Sequence, residues 1–124
     1  MKIKNFIDEI YNVKFIIFIG NEKERNNYIE KTFKIKGDNL FFEARSYFIE
    51  NEKGGTNFLY FKQLNLTNRK TLLSNLYNLQ HEIIHSVFEV LNYVDVKFNT
   101  ENHEHFNYYY GYIFKKIYTL LTKD

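Results

Sequence analysis

Leu79-Gln80-His81-Glu82-Ile83-Ile84-His85-Ser86-Val87-Phe88 carries the pattern H-E-x-x-H inside a longer apolar repeat. Leu72, Leu73, Leu76, Leu79, Ile83, Ile84, Val87, Phe88 and Leu91 recur at helical spacing, so the stretch reads as one long amphipathic helix. Residues four apart share a helix face, which lets His81 and His85 offer two imidazole nitrogens to one metal ion. Glu82 lies about 100° further round, beside that site. That is where a base would have to stand to take a proton from a water activated by a metal.

The chain around this helix bounds the answer. Its 124 residues suffice for one domain, 1–124, with a core and no room for a second. With no Cys there are no disulfides and no thiolate ligands, so a metal must be held by His and carboxylate. A net charge of +2, spread along the chain, is too small to argue for nucleic acid. No apolar run reaches the length that spans a bilayer, and Asp8 and Glu9 come too early for a secretory signal, so a cytosolic location is expected. The aromatic content of 19% and the missing Pro look like an AT-rich coding bias and carry no structural meaning.

In chain order, Ile3, Phe6, Ile7 and Ile10 stand at helical spacing, which predicts a short helix over residues 1–10. Val13 to Ile19 is β-branched and aromatic and predicts a buried strand closed by Gly20. Asn21, with Glu22 and Glu24 behind it, predicts the capped start of a helix running to about Lys34. Gly37-Asp38-Asn39 reads as a turn. Leu40 to Ile49 and Thr56 to Gln63 read as the strands of a hairpin. Thr67 is the expected N-cap of the motif helix, which reaches about Tyr93; Asn99 or Thr100 caps a last helix from about Glu101 to Leu121. The expected class is therefore α+β, a small domain of strand, helix and β-hairpin followed by two long helices.

Eighteen residues, Ser86 to His103, separate His85 from Glu104 at the start of that last helix. H-E-x-x-H followed by such a glutamate resembles the gluzincin metallopeptidases. The element order is similar to that of small phage-encoded metallopeptidase-like proteins, in which a segment E-x-F-A-Y follows the motif helix. Glu104-His105-Phe106-Asn107-Tyr108 fits it except at Asn107. A weaker likeness is to the compact metallopeptidases that cleave phage repressors. The motif-level match spans residues 79–114. No G-A-M-E-N-like signature precedes the motif, so aminopeptidase chemistry is not implied.

The resemblance implies a zincin-like fold, Zn²⁺ held by His81, His85 and Glu104, Glu82 as base, and a peptide or protein substrate. It also implies that the strand Thr56 to Gln63 is a sheet edge that takes the extended substrate. On residue type alone Glu101, His103 and His105 compete with Glu104, the last two through a three-histidine site. Asn107 and Tyr108 are candidates to hydrogen-bond an imidazole or polarise a carbonyl, while the Tyr108 to Tyr112 cluster reads as packing. Gly111 costs roughly 1 kcal/mol inside a helix, and close approach of the two long helices would explain it. Glu89 and Asp95 read as solvated. The rival functions are a zinc-binding virion or interaction protein without turnover, and a metal-free helical interaction module in which the motif is coincidence.

Overall fold

The computed structural model describes residues 1–37, 42–52 and 54–123. Four strands form one sheet: β1 (Lys2–Ile7), β2 (Lys14–Ile19), β3 (Ala44–Asn51) and β4 (Gly54–Phe61), in the order β1-β2-β4-β3. Helix α1 (Glu22–Phe33) connects β2 toward β3, and α2 (Leu72–Tyr93) and α3 (His103–Thr122) follow the sheet. The architecture is α+β. Two antiparallel hairpins, β1–β2 and β3–β4, are joined side by side through the parallel pair β2–β4.

Both faces of the two central strands are covered, which is why their sequences run apolar instead of alternating. Ile16, Phe18, Phe58 and Tyr60 face α1 and pack with Ile29, Tyr28 and Phe33. Phe15, Ile17, Leu59 and Phe61 face the other way, against Leu79, Ile83 and Val87 of α2 and Tyr109, Ile113 and Ile117 of α3. The second layer fixes α2 by its apolar stripe and leaves its opposite face to solvent.

Four sequence expectations are corrected. Residues 2–7 form a strand, not a helix. A helix of that length is marginal alone, whereas pairing with β2 satisfies its backbone and stacks Phe6 on Phe15 at 5.1 Å. Asp8 holds the turn that follows: its Oδ1 accepts from the amides of Ile10 and Tyr11, and Asn12 takes the left-handed conformation at φ 59°. The motif helix begins at Leu72, not after Thr67. Asn65 Oδ1 accepts from the amides of Thr67 and Asn68 and from the Thr67 hydroxyl, committing that segment to a turn of its own. The last helix starts after Asn102, because Asn99 Oδ1 binds the amides of Glu101 and Asn102 in a preceding turn. β4 is central, and the edge beside α2 is β3.

The expected cap of α1 holds. Asn21 and Glu24 form a reciprocal capping box at the start of α1. Asp38, Asn39 and Leu40, assigned to a turn and a strand start, lie outside the described residues. Among the described residues no helix is long and apolar enough to cross a membrane.

Candidate metal centre

Burial of Leu79, Ile83, Val87, Val90 and Leu91 turns His81 and His85 outward, one turn apart on the exposed face of α2. Their Nε2 atoms stand 3.2 Å apart, with the rings edge to face at a centroid distance of 4.8 Å. A tetrahedral ion with bonds of about 2.0–2.1 Å to nitrogen separates two donors by roughly 3.3 Å. The pair therefore fits two positions around one divalent ion, and its chemistry suits zinc.

Glu82 sits below the pair at 7% exposure. Burial pushes its carboxyl above the ordinary range, opposed by the two histidines and by the backbone N–H of Ser46, which donates to the carboxylate. Ser46 belongs to the edge strand β3, so Glu82 links the motif helix to the sheet edge. The Ser46 hydroxyl donates to Glu89 and lies 3.0 Å from Ser86 Oγ, which in turn donates to the Glu82 carbonyl oxygen at 3.0 Å. Glu89 is thus half-buried and engaged, not solvated as its sequence context suggested. An open groove of about 390 Å³ runs between β3 and α2, lined by Arg45, Ser46, His81, Glu82, His85 and Glu89 among others.

The structure brings His81, Glu82 and His85 together but does not gather Glu104 with them. Among the described residues no three His, Cys, Asp or Glu side chains form a metal-holding group. Glu104 is exposed in the first turn of α3, where its Oε1 lies 4.0 Å from His103 Nδ1. His105 is turned away, its Nε2 hydrogen-bonded to the Tyr11 hydroxyl. Glu101, Asn107 and Tyr108 are exposed, and Asn107 and Tyr108 do not line the groove. Helix α3 meets α2 through Phe106 on Phe88, ring centroids 4.7 Å apart, one turn beyond His85. Gly111 is exposed, and a Cβ there would meet nothing within 4 Å. The close helix approach inferred from Gly111 does not exist.

Sequence reasoning missed Arg45, Ser46 and Ser86. The i, i+4 steps from Glu82 to Ser86 and from His85 to Glu89 were readable on one helix. The arrival of Ser46 depends on which strand forms the edge, and local pattern does not reveal that.

No known protein family, curated protein or solved structure matches the chain.

Proposed function

We propose that the protein is a zinc-dependent hydrolase of a peptide or related amide bond, working in the cytosol of a cell or of a phage-infected host. The supporting observation is the His81–His85 pair at 3.2 Å above a desolvated Glu82, in a groove beside a sheet edge. His81 and His85 would hold the ion. Glu104 is the proposed third ligand on the strength of the gluzincin resemblance; its carboxylate points outward here, so ligation requires the first turn of α3 to change.

A divalent ion held there would supply Lewis acidity. The protein supplies the proton handling. Glu82 accepts a proton from the attacking water and returns it to the leaving amine. The Ser46 amide aims its carboxylate. The outer edge of β3 takes the substrate in extended form through main-chain hydrogen bonds.

A second reading, zinc binding without turnover, is favoured by the two-ligand geometry and by the hydrogen bond that Glu82 already spends on the sheet edge. Glu82→Gln separates the two. Glutamine keeps the size of glutamate and can still accept from Ser46, but it takes no proton from water at neutral pH. Zinc content should hold while cleavage of a mixed peptide library falls roughly 10²-fold or more. Chelator-sensitive cleavage that survives the substitution rules out Glu82 as the base. Firm zinc with no cleavage by the parent protein favours the binder.

A further inference from the structure

Arg45 lines the same groove as His81, Glu82 and His85. Its guanidinium carbon lies 4.5 Å from the Phe42 ring centroid and 5.1 Å from that of Tyr47. Two aromatic contacts brace a planar cation at small entropic loss, and such stacking leaves the in-plane N–H donors free. The side chain is exposed, and among the described residues it makes no ion pair. The acids that share its groove are engaged elsewhere: Ser46 donates to Glu82 through its amide and to Glu89 through its hydroxyl.

A second groove, about 490 Å³, continues along β3 and shares Arg45, Ser46 and Glu89 with the first. Lys36 lines this second groove and adds another cation. A chain laid along the outer edge of β3 passes a braced arginine at the junction of the two grooves.

We propose that Arg45 selects substrates carrying a carboxylate next to the bond placed at the histidine pair. The carboxylate is either the peptide's own C-terminus or an Asp or Glu side chain. This rests on reading the groove as the place where substrate lies. Planar, two-pronged donation from guanidinium to carboxylate is the chemistry that recognises it.

The test uses zinc-loaded full-length Glu82→Gln protein, which binds peptide without consuming it, and saturation-transfer NMR. Three pools of N-acetylated tetrapeptides are compared. One has free C-termini and no acidic side chains, one has C-terminal amides with Asp or Glu, and one is amidated and neutral. At least one anionic pool should bind about tenfold more tightly than the neutral pool, and the tighter pool identifies the source of the carboxylate. Adding Arg45→Gln should bring it down to the neutral level with zinc content unchanged. Arg45→Lys should recover only part of the preference, since it keeps the charge and loses the planar fork.

Equal binding of all pools, or of none, overturns the proposal. So does an anionic preference that survives Arg45→Gln, which would assign the carboxylate to the metal. Anionic selectivity in a protein that cleaves nothing leaves Arg45 standing and removes the hydrolase. Cleavage of neutral peptides that Arg45→Gln does not slow removes Arg45 alone.

Discussion

Tyr109 donates its phenolic hydrogen to Asp8 across 101 residues of chain, at 3.1 Å in the core. The contact ties α3 to the β1–β2 turn, whose amides of Ile10, Tyr11 and Val13 the same carboxylate accepts. Burial and the Asp8 charge both push the Tyr109 phenol far up, which favours its donating form. Tyr109→Phe should cost about 1–2 kcal/mol in urea unfolding, and Asp8→Ala about 3, because the latter also orphans backbone amides. A near-neutral Asp8→Ala would show that water replaces the carboxylate and that the turn stands without it.

Tyr60 presents the opposite case. It is fully buried, its hydroxyl has no hydrogen-bond partner among the described residues, and its ring lies 4.7 Å below the Arg25 guanidinium. Burial, with Glu22 nearby, pushes its phenol up to about 12 against the pull of Arg25. An unfolded tyrosine ionises near pH 10. Between about 10 and about 12 the folded chain therefore keeps a proton that the unfolded chain loses, and stability falls as pH rises. Tyr60→Phe should be neutral or stabilising by up to about 1 kcal/mol at pH 7. Its advantage over the parent should widen above pH 10; parallel denaturation curves at pH 7 and pH 11 check this.

What the sequence disclosed follows the range of the forces involved. The α1 cap was legible because Asn21 and Glu24 are three residues apart and act locally. The buried strand around Ile16 and Ile17 was legible because burial on both faces leaves an unbroken apolar run. The first strand was not, since Ile3 and Phe6 satisfy a helical spacing as well as a strand, and only pairing with Phe18 and Phe15 decides. The histidine pair and Glu82 were legible from one helix. Ser46 and Arg45 reach the site from another element, and a glycine in a helix, as at Gly111, does not by itself prove a neighbour.

Gly111 supplies a direct check. It lies on the exposed side of α3 with space around its Cα. Gly111→Ala should raise stability by about 0.5–1 kcal/mol through helix propensity alone. A loss of stability, or of bound zinc, would mean that the two helices approach each other at this position after all.

The proposed metal ligands are separable by substitution. Purified protein should carry about one zinc per chain, as a single site requires. His81→Ala or His85→Ala should abolish binding and lower the melting temperature, because metal affinity adds to folding. Glu104→Ala should weaken binding strongly if α3 delivers the third ligand. His105→Ala should keep the zinc and loosen the Tyr11 contact instead. Zinc retained by Glu104→Ala and lost by His105→Ala would replace the carboxylate site with a three-histidine one.

The hydrogen bond between the Ser46 amide and Glu82 bears on self-association as well as on chemistry. An edge strand with open amides is a template on which another copy's strand can polymerise. At β3 a carboxylate from the neighbouring helix occupies one of those amides and places a negative charge over the template. Glu82 therefore takes up one of the donors that such pairing would use. Replacing it with an apolar residue would leave the Ser46 amide open, so solubility has to be measured beside activity in any such variant.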